Sequence, residues 1–414
     1  MKRKLLIFAT ALSVMVIACN PSSNNNAAAL KIIDIENSIN TIQVVKLSEV
    51  ANSIEYIPLE TSDSILIGNI SKIVCENNKI YVSDNSDKLF VFDREGMHLR
   101  TLNRKGRGPG EYVVLRSFKV DDVTGNILVL DFSGRVNIYD SLHNFVQSIE
   151  ATKKGVNFTG FENFGDTIFA ASHFVLTDNA STEIIIYDSS SITRDSVTFR
   201  PIDFISSVSD NSEIPLRINH PVIVKYNNEI RYFSVKGDTI FSLNSKLEKS
   251  VAYLFNQGKY REPDRITFED FMSKNGSFIS ISPYLSETDG NLFLTMMLRG
   301  QTKEPIVRTF NLPDGTVNES VRTDAYGIFR KTDGKFFILA QPVKGVPGLS
   351  EDFKQGPPFW PKFSNSNQEL ISHKSAVEII NFARDNGEFG SSIKEVASKI
   401  DDYSNPVVII AQTR

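Results

Sequence analysis

Short apolar, β-rich runs, separated by turn residues, recur along most of the chain. The first clear run is Ile80-Tyr81-Val82-Ser83-Asp84, followed by Leu89-Phe90-Val91-Phe92-Asp93. The same pattern returns as Ile127-Leu128-Val129-Leu130-Asp131 and Val136-Asn137-Ile138-Tyr139-Asp140, every position offset by 47. Ile80, Val82, Asp84 and Asp93 recur as the identical Ile127, Val129, Asp131 and Asp140. Runs of this length and β-rich composition read as strands, and Asn, Asp and Gly between them as turns. Four strands in under 50 residues form a meander, and units of that size stack as propeller blades.

Later segments fit the unit more loosely. Residues 166–170 with 183–188 predict a third unit. Residues 221–226, 229–235 and 238–243 predict a fourth. A fifth is read over 279–284, 291–297 and 306–311, and a sixth opens at 361–363 with 368–372. Strands are also expected over 41–47 and 54–59 and at 406–411. Pairing these first strands with the last would close the circle, since a ring must not leave an exposed strand edge. The expectation is an all-β, six-bladed β-propeller with four-stranded blades over residues 41–414, its ring closed by N- and C-terminal strands. Near the C-terminus the period changes. Ile393, Val396, Ala397 and Ile400 lie on one helical face behind Ser392-Ile393-Lys394-Glu395, which has capping-box spacing, and 375–384 also reads as helix.

The N-terminus has a different character. Met1-Lys2-Arg3-Lys4 is basic, an apolar run extends from Leu5 to Ile17, and Val16-Ile17-Ala18-Cys19 follows. This is an export signal over residues 1–18, too short for a transmembrane span of roughly 20 residues. Val-Ile-Ala-Cys resembles the lipobox of bacterial lipoproteins, which implies acylation of Cys19 and a membrane partner reached through lipid. Residues 19–40 begin polar and uncharged, as a flexible tether does. Acidic residues just after the cysteine act as a surface-export signal in Bacteroidota-type lipoproteins. Their absence favours an outer-membrane anchor facing the periplasm.

Composition narrows the functional classes. Loss of the three basic signal residues moves the net charge from −4 to −7, which argues against nucleic acid as a partner. Besides Cys19 the only cysteine is Cys75, inside the apolar Ile73-Val74-Cys75, so neither an internal disulfide nor a thiolate zinc site can form. The five histidines, His98, His143, His173, His220 and His373, show no metal-ligand spacing on one helix. His173 and His220 are the pair that separate blades could bring to the axis. No nucleophile elbow is present, and no cofactor motif is found.

Two segments are candidate binding elements. Arg104-Lys105-Gly106-Arg107-Gly108-Pro109-Gly110-Glu111-Tyr112 lies between the first two units. Its glycines and proline fix an irregular crossing loop. It is no P-loop, because no Lys-Ser/Thr follows the last glycine. Arg107, Glu111 and Tyr112 are the residues that could face the channel mouth. The second segment is Gly356-Pro357-Pro358-Phe359-Trp360-Pro361, where Phe359 and Trp360 could stack on a sugar or peptide. Asp84 and Asp131 end strands at matching places and are expected to bind turn amides.

The glycine loop with Val120-Asp121 and the strand pair 127–131 and 136–140 resembles an NHL-type repeat. The variant with Glu-Tyr after the last glycine is similar to the six-bladed β-propeller lipoproteins of Bacteroidales, as are Leu47-Ser48-Glu49-Val50, Ile54-Glu55-Tyr56-Ile57-Pro58-Leu59-Glu60-Thr61 and Asn405-Pro406-Val407-Val408. That resemblance implies a fold and a compartment, and no catalytic residue. The expected function is a periplasmic, non-enzymatic binding or scaffold propeller for a protein or carbohydrate partner. The alternative is a glycan lyase or hydrolase with acids or histidines at the channel.

Overall fold

The computed structural model describes residues 30–132, 134–150, 158–164, 168–173, 182–188, 193–199, 203–207, 213–215, 221–234, 237–261, 265–267, 278–311, 316–386 and 392–414. The chain is an all-β propeller with few helices. Blade 1 comprises Ile70–Glu76, Lys79–Asp84, Leu89–Phe92 and His98–Leu102. Blade 2 comprises Leu115–Val120, Ile127–Asp131, Arg135–Tyr139 and Phe145–Glu150. Blade 3 is built from Phe158–Phe164, Ile168–His173, Thr182–Asp188 and Thr193–Phe199, and blade 4 from Pro221–Tyr226, Glu229–Ser234, Thr239–Asn244 and Lys249–Asn256. In blade 5 the strands are Ser280–Glu287, Asn291–Met297, Asp324–Arg330 and Lys335–Leu339.

The expectation of six four-stranded blades is therefore corrected to five. The remaining four-stranded sheet is not a sixth repeat of the chain. It is a seam, ordered Phe363–Ser364, Glu369–Lys374, Val407–Thr413 and Ala51–Pro58, in which the first long strand pairs antiparallel with the last. Two helices, Ala376–Asn386 and Ser392–Ala397, are inserted between its second and third strands. Nor are all five blades limited to four strands. Lys31–Asp34 adds a parallel fifth strand to blade 4, and Ile42–Gln43 adds one to blade 5. The physical reason is edge protection: both segments satisfy backbone groups that an outermost strand would leave open.

Other expected boundaries shift as well. The tether read to residue 40 contains a strand and the short helix Ile35–Ser38, with Ile33 and Ile35 fully buried. The strand expected over 41–47 shrinks to Ile42–Gln43, and Leu47–Glu49 is a 3-10 turn. Ile306–Asn311, read as the third strand of the fifth unit, instead pairs with Val317–Arg322 in a separate two-stranded sheet. A further small sheet joins Asp203–Ser207, Glu213–Pro215 and Arg265–Thr267. A period-2 pattern marks a strand but does not say which sheet receives it.

The core follows the blades. Ile80, Val82, Phe90 and Phe92 of blade 1 pack against Ile371, Val408 and Ile410 of the seam. The other face of blade 1, with Tyr81, Leu89 and Val91, packs on Phe118, Ile127 and Val129 of blade 2. Alternate residues of one strand thus serve two inter-blade layers, which is why these strands read as almost continuously apolar.

Candidate functional site: the central channel

A channel of about 750 Å³ runs where the innermost strands meet. Its walls come from the first strand of each blade and from the seam segment 362–368, so every sheet around the axis contributes. Side chains alternate across a strand. Lys72, Val74 and Glu76 of blade 1, and Ser117 and Lys119 of blade 2, accordingly line one side.

The carboxylates in this wall are engaged. Glu162 of blade 3 is ion-paired with Lys119 of blade 2. Asp122, just past the inner strand of blade 2, receives Lys225 of blade 4 at 3.3 Å. Glu287 of blade 5 is buried and holds Arg231 Nε at 2.9 Å, the Tyr253 hydroxyl at 2.7 Å and Lys331 Nζ at 2.7 Å. Glu76 accepts from the amide of Ser366 at 3.0 Å and from its hydroxyl at 2.7 Å. Burial nevertheless pushes the Glu76 carboxyl above its ordinary pKa, against the lowering effect of those bonds.

Lys72 has a different environment. Its ammonium approaches the Ser117 hydroxyl at 3.4 Å and lies 5.7 Å from the centre of the Phe118 ring. Among the described residues no carboxylate lies within ion-pairing distance of it. Burial, and then the positive charge of Lys119, push its pKa well below the usual lysine range. Lys362, at the seam, contacts His373 Nε2 at 3.2 Å and is also lowered, by burial first.

Beside the channel, turn residues of blade 4, blade 5 and the seam bond to one another. Gln368 accepts from the Asp289 amide at 2.7 Å and reaches Asn227 at 3.3 Å, and the Tyr226 hydroxyl donates to Asp289 at 2.7 Å. Tyr284, on the inner strand of blade 5, is 63% exposed, an aromatic face open to an occupant.

The residues singled out in the sequence lie elsewhere. Tyr112 is fully buried between blades 1 and 2, its hydroxyl donating to the Asp87 carbonyl at 2.9 Å. Glu111 folds back over its own loop and accepts from the Gly108 amide at 2.7 Å, and Arg107 is exposed. Phe359 and Trp360 are buried in the seam cluster, where Trp360 stacks on Tyr326 with ring centres 4.2 Å apart. The two candidate groups fall in different clusters, and none of the five residues lines the channel. Asp84 and Asp131 do bind amides, of Gly68 and Ser86 and of Val113, Val114 and Phe132 respectively.

Cys19 and His220 lie outside the described residues, as does the side chain of His173. No group of three metal-ligating side chains is found among the described residues. Sequence reasoning missed the channel lysines. The available signal was a repeat-aligned one: Lys72 and Lys119 are separated by the same offset of 47 as the strand motifs.

A family profile described as "Domain of unknown function (DUF4934)" matches residues 30–412. Among solved structures, a Bacteroides fragilis protein described as exported aligns at a TM-score of 0.66 and 17% identity, covering 92% of this chain and 99% of its own. A DUF4221-family protein of Bacteroides vulgatus aligns at a TM-score of 0.43 and 11% identity, covering 90% of this chain and 98% of its own. No protein of curated function matches the sequence.

Proposed function

This chain belongs to the DUF4934 family, and we propose that it is a non-enzymatic binding propeller that takes a polar ligand, a glycan or glycan fragment, in its central channel. The observation that carries the reading is the channel itself. Its volume lies within the range of about 300–1,000 Å³ that small-molecule sites occupy, and every sheet of the ring supplies wall. An apolar channel would fit a hydrophobic segment of a protein partner. This one carries lysines, carboxylates, amides and an open tyrosine, which favours a hydroxyl-rich occupant.

Binding is favoured over catalysis by the state of the acids. A glycosidase needs one free carboxylate and one protonated carboxyl on either side of a scissile bond. Glu162, Asp122 and Glu287 are each neutralised by a cation. Glu76 has the raised pKa of a general acid, but both its oxygens are held by Ser366.

The location completes the proposal. The signal over 1–18 and Cys19 support export and acylation, and the uncharged tether supports an outer-membrane anchor facing the periplasm. Affinity purification of the full chain from native membranes, with a screen of bound glycans, tests the function. Recovery of a glycan whose capture is lost in Tyr284→Ala supports it. Capture undiminished by channel substitutions overturns it. Cys19→Ala should release the protein from membranes, and continued lipid labelling of that variant would contradict the anchor.

A further inference from the structure

We propose that the channel holds the carboxylate of its ligand at Lys72, Lys119 and Ser117, so that the occupant is an acidic, hydroxyl-rich molecule, of which the hexuronic acids are the simplest class. The inference rests on the reading of the channel as the ligand site and names the chemistry of what enters it.

The argument is a local charge count. Lys72 and Lys119 stand side by side on the inner strands of blades 1 and 2, and a single carboxylate, Glu162, serves them by pairing with Lys119. Lys72, half-buried, is left with the Ser117 hydroxyl and the Phe118 ring, and shares the charge of Glu162 only at a distance. A partly buried ammonium without a counter-ion of its own is costly, and an anion seated beside it removes that cost. Its low affinity for a proton in the empty channel is the same cost seen from another side.

The donor set selects the anion. Two amines and a hydroxyl suit one singly charged carboxylate. A phosphate site is ordinarily built with an arginine fork or converging backbone amides. Neither a guanidinium nor a helix N-terminus lines this part of the wall. Tyr284 then offers its ring to the body of the ligand, as aromatic faces do for the apolar faces of sugars.

The test uses the mature full-length chain, with glucuronate as the acidic probe, glucose as its neutral counterpart and inorganic phosphate as the competing anion. Each is titrated calorimetrically. Protection of Lys72 from acylation by acetic anhydride is read in parallel by peptide mass spectrometry. Glucuronate should bind and protect Lys72. Lys72→Met should weaken glucuronate by about tenfold or more, and Lys72→Arg should retain most of the affinity. Protection measured on the wild-type chain keeps the test valid if Lys72→Met misfolds. Glucose binding equal to glucuronate, weakened by Tyr284→Ala and unmoved at Lys72, would overturn the carboxylate site while leaving the channel as the ligand site. Glucuronate binding unmoved by both substitutions would overturn the channel reading itself. Protection by phosphate alone, or by no probe, also overturns the proposal.

Discussion

Ile57 and Val408 face each other across an antiparallel register, although nearly the whole chain separates them. Both are buried in the cluster that joins the seam to blade 1. The last strand runs between Ala51–Pro58 and Glu369–Lys374, so its removal strips two neighbours at once. Deleting residues 407–414 should abolish the cooperative unfolding transition followed by circular dichroism. The milder Ile410→Ala, at a position 2% exposed, should cost about 2–5 kcal/mol. A truncated chain that still melts cooperatively would show that the ring does not depend on this seam.

The glycine loop gives a second prediction, because side chains of blade 2 hold its backbone in place. Gly110 has φ of 70°, and a Cβ there would meet the Phe145 ring at 2.5 Å. Its carbonyl accepts from the Tyr139 hydroxyl at 2.9 Å, and the Glu111 carbonyl accepts from Arg135 and Asn137. Gly110→Ala should therefore destabilise through both backbone strain and collision. Tyr112→Phe should lose about 0.5–1.5 kcal/mol with its hydroxyl bonds. Chemical denaturation checks both, and an unchanged midpoint in either variant would refute the structural role.

These two regions also show what could be read from the sequence. The strand motifs of blades 1 and 2 were legible because Asp84 and Asp131, and Asp93 and Asp140, do the same work at a fixed offset. Asp93 accepts from the amides of Glu95 and Met97, and Asp140 from those of Leu142 and Asn144. Seam pairing was legible because an apolar terminal strand needs a partner. The blade count was not, since the strand at Ile306–Asn311 has the blade pattern yet pairs locally, and the seam looks like one more opening unit. The channel was not legible. Aromatic and glycine-rich segments stand out along the chain, yet Trp360 and Tyr112 are packed inside. The channel is made of single residues from separate blades, and nothing along the chain announces which lysines converge.

Acid should destabilise the fold over a definable window. Burial holds His143 and His373 down to about 4, below the ordinary histidine value of about 6.5. Between those values the unfolded chain binds protons at these sites and the folded chain does not. Stability should therefore rise as pH increases from about 4 to about 6.5, and level off above it as far as these groups are concerned. His143 has φ of 69°, a left-handed conformation that asparagine accepts. The pair His143→Asn and His373→Gln should flatten this part of the stability profile. A slope unchanged in the double variant would assign the acid sensitivity to other groups.

Cys75 offers a direct probe of blade 1. It is 1% exposed and packs with Ile73, Ile80 and Phe92. Burial raises its thiol well above the ordinary range, and the lowering effect of Arg94 is smaller. Reactivity belongs to the thiolate, so both exposure and ionisation are withheld in the folded state. A chromogenic disulfide reagent at neutral pH should leave the native protein unmodified and should titrate one thiol in denaturant, with the second cysteine removed by Cys19→Ala. Because Cys75 lies on the inner strand that also carries Lys72, its labelling rate in mild denaturant reports opening of the channel wall. That rate should fall when glucuronate is present if the ligand braces blade 1, and an unchanged rate would mean that blade 1 opens independently of channel occupancy.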